Sequence, residues 1–186
     1  EAEAAFRPRN ITGGIGAFSL ARFSPDGKTL AVLGHQNEYQ NATQPKIYLY
    51  PVDGGDPRIL DHWDLEIGDS VGADVRPGGR GVEVTWSPDG QWLYVPVTHR
   101  GACSVYAFPV SGDRPQLLLG GRREISGGTF DRSGQRLAFV AGSMYEVGDI
   151  YVYDVLTGQE WRLTHVNAGL FAEIEWPEVE ELHFKA

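Results

Sequence analysis

Residues 84–95, VTWSPDGQWLYV, predict two β-strands joined by a tight turn. Pro88 fixes the backbone φ angle at the start of the turn, and Asp89 can accept hydrogen bonds from the turn amides. Gly90 supplies the left-handed conformation that reverses the chain. The aromatic and β-branched residues on both sides are typical of strands. This stretch therefore indicates a β-hairpin.

The same pattern occurs in two other places. Residues 21–32 read ARFSPDGKTLAV and residues 128–139 read GTFDRSGQRLAF, each with an aromatic residue four positions before the turn glycine. Every hairpin is followed by a strand that ends in a second turn, and then by a short apolar run. These following segments are residues 47–54 and 58–60, residues 105–112 and 116–119, and residues 150–158 and 161–163.

Four strands per repeat are typical of a propeller blade. The turn glycines Gly90 and Gly134 lie 44 positions apart, within the ~40–50 residues usual for one blade. We therefore predict an all-β fold: a partial β-propeller of three four-stranded antiparallel blades, with the start of a fourth in residues 168–176. The expected division is an N-terminal segment (1–14), three blades (15–61, 62–119 with a leading insertion, and 120–165), and the start of a next blade with a junction (166–186).

Composition and charge disfavour several functional classes. The 186 residues are 41% apolar and carry a net charge of −9, which disfavours nucleic acid as a partner because phosphate binding needs a basic surface. No apolar run approaches the ~18 residues of a membrane span. Cys103 stands in a strand context and is expected to be a small core residue. His35 has no second ligand at metal spacing, so we expect neither a metal nor a cofactor.

The first four residues, EAEA, resemble the remnant of a yeast secretion leader. Such a remnant indicates secreted recombinant expression and has no bearing on the fold. In that setting the two sequons, at Asn10 and Asn41, become relevant because they are acceptor sites for glycosylation. Both sequons lie in loop-like sequence, and we expect them to be chance matches in a protein that is not glycosylated in nature.

Residues 68–72, GDSVG, match the formal pattern of a serine nucleophile elbow. That chemistry needs the serine on a sharp turn between a buried strand and a helix. Residues 61–66 are too polar for a buried parallel strand, and Pro77 ends any helix soon after the serine. We therefore reject Ser70 as a nucleophile and interpret residues 61–81 as a polar insertion that leads into the inner strand of the second blade.

Longer stretches of the chain resemble one family of enzymes. Residues 34–39 (GHQNEY), 68–76 (GDSVGADVR), 98–102 (THRGA) and the tail 162–178 are similar to the propeller of the prolyl oligopeptidase family of serine peptidases, in particular its acylaminoacyl-peptidase and dipeptidyl-peptidase-like branch. The resemblance implies that this chain is the C-terminal part of the propeller of a cytoplasmic peptidase. It also implies an α/β-hydrolase domain with a Ser-Asp-His triad, and none of the triad positions falls within this sequence.

By this resemblance the chain is non-catalytic, and it gates and positions peptide substrates for the hydrolase domain. Asp69, Asp74 and Arg76 precede an inner strand and are the substrate-facing candidates, since arginine can bind a carboxylate through two hydrogen bonds. The same residues could instead form a structural Asp–Arg pair in the loop between blades.

An open arc of blades exposes its two apolar end faces. We therefore expect two kinds of partner: the remaining blades and hydrolase domain of the parent enzyme, or a second copy of this chain. The alternative function is a stand-alone TolB-like propeller that acts as a protein-interaction module.

Overall fold

The structure is a computed structural model that describes residues 8–60, 64–68 and 84–185. Its strands follow the three repeats of the sequence, which we call units 1, 2 and 3. Unit 1 contains β1 (Ala17–Phe23), β2 (Thr29–His35), β3 (Lys46–Pro51) and β4 (Arg58–Leu60). Unit 2 contains β5 (Glu66–Ile67), β6 (Thr85–Trp86), β7 (Trp92–His99), β8 (Ala102–Pro109) and β9 (Gln116–Leu119). Unit 3 contains β10 (Glu124–Phe130), β11 (Arg136–Ser143), β12 (Glu146–Asp154) and β13 (Glu160–Arg162).

Strands within each unit pair in antiparallel order, which confirms the all-β architecture. Consecutive strands are the partners throughout, except that β5 and β6 both pair with β7. Unit 1 is a four-stranded sheet in the order β1-β2-β3-β4. Units 2 and 3 belong to one nine-stranded sheet, because a single parallel bridge between Glu124 of β10 and Cys103 of β8 connects them. The strand pairing therefore differs from the three separate sheets that the repeat predicts.

The turn of each first hairpin has the predicted chemistry. Gly27, Gly90 and Gly134 have φ angles of 71°, 69° and 69°, which is the left-handed region that glycine adopts without strain. In unit 1 the Ser24 hydroxyl donates to the Asp26 carboxylate at 2.6 Å. The Asp26 carboxylate also accepts the backbone N–H of residue 28 at 3.0 Å.

Unit 3 makes the same turn with the two polar residues exchanged. Asp131 stands where units 1 and 2 have serine, and Ser133 donates its hydroxyl proton to the Asp131 carboxylate at 2.7 Å. Asp131 also accepts the backbone N–H groups of Gln135 and Arg136 at 2.9 and 3.1 Å. The serine–carboxylate hydrogen bond is therefore kept although the order of its partners is reversed.

Side chains alternate across each strand, so every unit has two apolar faces. Leu33 and Leu49 of unit 1 are buried in the same cluster as Val95 of unit 2. Val105 of unit 2 is buried with Phe139 of unit 3 in a second cluster. Each unit thus packs one sheet face against the next unit, as neighbouring propeller blades do.

Residues 168–176 do not form the strand that the sequence predicts for the start of a fourth blade. A short helix, α1 (Ala168–Phe171), stands there, and no strand follows β13 within the described residues. Alanine and leucine favour helix over strand. A strand also needs a neighbour to satisfy its backbone groups, and here the chain instead makes helical hydrogen bonds such as Ala172 N–H to the Ala168 carbonyl at 3.1 Å.

Candidate functional site

An open cleft of about 190 Å³ lies between the inner strands of units 1 and 2. The start of β1, the end of β2 and the end of β5 line it, among them Phe18, His35 and Gly68. Gly34 forms part of its wall, where a Cβ atom would lie 2.4 Å from the Ala17 carbonyl oxygen. The cleft therefore depends on a close approach of two backbones that glycine alone permits.

The inner strands β1 and β10 carry a β-bulge at the same register position. In β1 the pairing with β2 shifts at Leu20, whose φ is 52°. In β10 the pairing with β11 shifts at Gly127, whose φ is 47°. A bulge leaves an extra residue unpaired and bends the strand. Its recurrence shows that the bulge is part of the repeat.

Unit 2 has its inner strand split at that same position. The strands β5 and β6 lie along one edge of β7, opposite Val97 and Leu93 respectively. Gly68 follows β5 with a φ of 84°. The insertion therefore does not simply lead into the inner strand, as the sequence suggested, because β5 already forms the first half of it. Residues 69–83, which we call the insertion from here on, connect the two halves where the other units have a bulge.

The three substrate-facing candidates, Asp69, Asp74 and Arg76, lie outside the described residues, as does Ser70 of the formal elbow. Asp69 directly follows Gly68, which lines the cleft. Only their position in the sequence therefore connects these candidates with the cleft. Their roles remain predictions.

A long loop, residues 36–45, borders the same end of unit 1. Lys46 and Glu38 form an ion pair at 3.5 Å, and the Glu38 carboxylate accepts the Gln36 N–H at 3.1 Å. Hydrogen bonds from backbone N–H groups and the nearby Lys46 ammonium lower the pKa of Glu38. The His35 ring accepts the Asn37 N–H through Nδ1 at 3.2 Å. His35 thus has a local structural role as a loop-ordering acceptor.

A buried polar network fastens the chain where it leaves unit 3. The Asp149 side chain, 2% exposed, accepts hydrogen bonds from Arg162 Nη2 and Thr164 Oγ1, both at 2.5 Å, and from the Val166 N–H at 3.1 Å. Burial alone would raise the pKa of Asp149, but these hydrogen bonds outweigh it and lower the pKa. Arg162 also donates Nη1 to Glu146 at 2.7 Å. Sequence reasoning missed this network because its members are spread over three segments.

Beyond the network the tail folds back on the β11–β12 hairpin. The Trp176 ring packs edge-on against Tyr145 and Phe171, with centroid distances of 6.1 and 5.2 Å. The Val179 N–H donates to the Tyr145 hydroxyl at 3.2 Å. Trp176, the last residue of the run 168–176, is therefore part of an aromatic cluster with Tyr145 and Phe171.

Several other sequence-based expectations concern single residues. Cys103 is 3% exposed on β8, which confirms that it is a small core residue. Within residues 8–60, 64–68 and 84–185, no three His, Cys, Asp or Glu side chains are grouped so that they could hold a metal ion. None of the helices in the part of the chain that the structure describes combines the length and the apolar character needed to cross a membrane. Asn10 is exposed, and its side chain accepts the Thr12 N–H at 3.0 Å.

Comparison with known proteins identifies the fold and the family that the chain resembles. The β-propeller domain of the Trilobed protease from Pyrococcus furiosus superposes with a TM-score of 0.53 at 18% identity, covering 80% of this chain and 38% of that one. The acylaminoacyl peptidase of Pyrococcus horikoshii gives a TM-score of 0.61 at 20% identity, covering 87% of this chain and 22% of that one. The fold is therefore that of a β-propeller.

A sequence relative is also a peptidase. An uncharacterized peptidase of Bacillus subtilis (strain 168), YuxL, is 34% identical over 79 residues, which are 42% of this chain and 12% of that protein. No protein-family model matches the chain. The resemblance to part of a prolyl oligopeptidase family propeller is thereby confirmed. The chain spans only about an eighth of the length of this curated relative.

Proposed function

We propose that this chain is a non-catalytic part of a peptidase propeller, which gates and positions peptide substrates for an α/β-hydrolase domain elsewhere in the parent protein. The observation that carries the proposal is the split inner strand of unit 2. An insertion that leaves a sheet at an inner-strand bulge can be long without disturbing the strands behind it, and loops on a rigid scaffold are where binding residues concentrate.

The cleft between units 1 and 2 supports this proposal. It lies at the inner strands, and Gly68, the last described residue before the insertion, is one of its lining residues. The cleft also borders loop 36–45, whose Tyr39 is 76% exposed. An extended peptide segment that reaches this end of the propeller would meet the cleft and the loop together, next to Gly68, where the insertion begins.

Asp69, Asp74 and Arg76 supply charge to the insertion. In the proposed role, Arg76 binds a substrate carboxylate through two parallel hydrogen bonds, and the aspartates interact with a substrate amino group. In the structural alternative, Arg76 pairs with an aspartate and orders the insertion itself. The two roles differ in their dependence on substrate, because a structural pair affects all peptides alike.

The test uses the full parent peptidase. Residues 69–83 are replaced by a single glycine, which together with Val84 restores the two-residue bulge of unit 3. The substrates are C-terminal amides, so that loss of Arg76 does not affect their binding. Gating then predicts that kcat/KM rises for long peptide amides relative to short ones. Equal kcat/KM ratios before and after the replacement would refute gating by this insertion.

A second pair of variants tests Arg76. Arg76→Ala should raise KM for peptides with a free carboxylate and leave KM for the corresponding amides unchanged, since the lost interaction is with the carboxylate. Arg132→Ala, at an exposed hairpin turn of unit 3, is the matched control. A rise that is equal for acid and amide would favour the structural Asp–Arg pair.

The open face of unit 3, which is the sheet face turned away from unit 2, is a candidate surface for binding further parts of the protein. Ile150 and Trp161 are 45% and 44% exposed on this face, which is the face that units 1 and 2 each bury against the next unit. We propose that the remaining propeller of the parent covers it. Light scattering with intact mass spectrometry distinguishes the alternatives, since a second copy of this chain gives twice the mass and a parent fragment adds a different chain. A TolB-like interaction module would lack the hydrolase domain in its full-length gene product.

A further inference from the structure

Two arginines make the same contact at two different places in the propeller. Arg58, at the start of β4 in unit 1, donates Nη2 to the Val110 carbonyl and Nη1 to the Ser111 carbonyl of unit 2, the latter at 3.4 Å. Arg9, ahead of unit 1, donates Nη2 to the Val52 carbonyl and Nη1 to the Asp53 carbonyl, again at 3.4 Å. Each guanidinium thus binds two successive backbone carbonyls.

The two acceptor sites are equivalent turns. Residues 51–54 lie between β3 and β4, and residues 109–112 lie between β8 and β9. In both turns the glycine N–H donates to the proline carbonyl, at 3.1 and 3.0 Å. The Val52 and Val110 N–H groups donate back into their own hairpins, to Lys28 at 2.9 Å and Gln91 at 2.8 Å. The next two carbonyls of each turn accept the guanidinium donors from outside the turn.

The two donor segments are also equivalent. Each arginine follows a proline, in Pro8-Arg9 and Pro57-Arg58, and each is followed two positions later by an apolar side chain. Leu60 is 4% exposed in the core between units 1 and 2. Ile11 packs on the opposite, upstream face of unit 1, against the cluster of Val32, Tyr48 and Tyr50.

We propose that Arg58 and Arg9 make equivalent hydrogen-bonded contacts between neighbouring blades, each of which we call a clip. In this proposal residues 8–11 are the outermost strand of a further blade that covers the upstream face of unit 1. The planar guanidinium suits this position because its donors are fixed in a fork that reaches two acceptors at once. The occupant of this face is therefore a blade ending in the sequence Pro-Arg-x-Ile.

This contact argues against a second copy of the chain on the same face. Strand register places Gln116 of unit 2 and Trp161 of unit 3 where unit 1 has Arg58. Unit 3 of another copy would bring Trp161 to the turn at residues 51–54. The indole has one N–H donor and cannot bind two carbonyls, so the contact made by Arg9 would be lost.

The test is site-resolved amide exchange on Arg9→Gln, Arg58→Gln and the exposed control Arg132→Gln. Arg58→Gln should speed exchange of the Val110 amide about fivefold, as expected for loss of roughly 1 kcal/mol of local stability, and leave Val52 unchanged. Arg9→Gln should do the reverse, and Arg132→Gln should change neither. Each arginine variant is therefore the control for the other.

Three results would overturn the proposal. One is unchanged exchange at the turn that each arginine contacts. Another is an equal rise at both turns, which would mean loss of the whole fold. The third is a doubled mass in solution with no effect of Arg9→Gln, because a second copy would then have displaced residues 8–11. None of these measurements depends on peptide gating, so the clip and the proposed function can fail separately.

Discussion

Arg162 on the last strand of unit 3 binds Asp149 on the neighbouring strand, with Nη2 2.5 Å from the carboxylate. The carboxylate is buried and the arginine is 26% exposed. Because Asp149 also accepts the Thr164 hydroxyl and the Val166 N–H, one carboxylate fixes both the edge strand and the segment that leaves it. A single buried charge therefore anchors the chain at the point where it leaves unit 3.

Asp149→Asn should be among the most destabilising polar substitutions in the chain. The asparagine amide has the shape of the carboxylate but carries no charge. Its NH2 group also places hydrogen-bond donors opposite the donors of Arg162, Thr164 and Val166. Loss of charged hydrogen bonds of this kind costs about 2–3 kcal/mol of unfolding free energy. Urea denaturation measures it, with the exposed Asp56→Asn as control. Equal midpoints for the two variants would contradict the role assigned to Asp149.

Stability should fall at acid pH because several carboxyl pKa values are lowered in the folded state. Hydrogen bonds from Ser24, Ser87 and Ser133 lower the pKa values of the aspartates beside them in the three hairpin turns, and Asp149 is lowered as well. A lowered folded pKa stabilises the fold above the unfolded value, and this contribution is lost as pH falls through the folded value.

We expect that these aspartates cause no change in the urea midpoint between about pH 5 and 8. The midpoint should decline below about pH 4, where the aspartates of the unfolded chain bind protons. Asp89→Asn should make the decline shallower, since that turn then has no carboxylate to protonate. The measurement is a series of urea titrations across pH. A midpoint that rises on acidification would reverse the assigned sign of the shifts.

Substitution of Trp86 tests the contact between the inner strands of units 1 and 2. Its indole Nε1 donates to the Arg22 carbonyl at 3.0 Å, whereas units 1 and 3 have phenylalanine at the equivalent position. Trp86→Phe should therefore fold normally and lose about 1 kcal/mol from the missing hydrogen bond. Trp161→Phe, on the open face of unit 3, is the matched control. A larger loss for Trp161→Phe would contradict this interpretation.

The sequence predicted the repeats well because their determinants are local. Proline, aspartate and glycine define a turn within four residues, and the alternation that follows defines a strand. Even the exchanged pair Asp131 and Ser133 satisfies the turn, since the hydrogen bond needs a hydroxyl and a carboxylate in either order. Local chemistry of this kind can be read without knowing what the strand packs against.

Features that depend on distant partners could not be predicted in the same way. β5 is two residues long, and only its pairing with β7 identifies it as part of an inner strand. Residues 173–176 alternate polar and apolar side chains as a strand does, yet no strand follows β13 in the described residues and the run 168–176 begins as a helix. The Asp149 network joins residues 146–166 through side chains whose meeting follows from the sheet register. The candidates in residues 69–83 remain predictions.

Gly34 tests whether the cleft between units 1 and 2 depends on close backbone approach. A Cβ atom there would lie 2.4 Å from the Ala17 carbonyl oxygen and 2.4 Å from the Phe18 ring. Backbone atoms cannot move aside cheaply, so Gly34→Ala should cost about 1–3 kcal/mol of unfolding free energy and narrow the cleft. Gly169→Ala is the matched control, because a Cβ in α1 meets nothing within 4 Å and alanine favours helix. Thermal unfolding should therefore show a lower midpoint for Gly34→Ala and an equal or higher one for Gly169→Ala. A Gly34→Ala midpoint equal to that of the unsubstituted protein would mean that β1 and β2 separate easily at this end, and the cleft would then be a variable gap between strands.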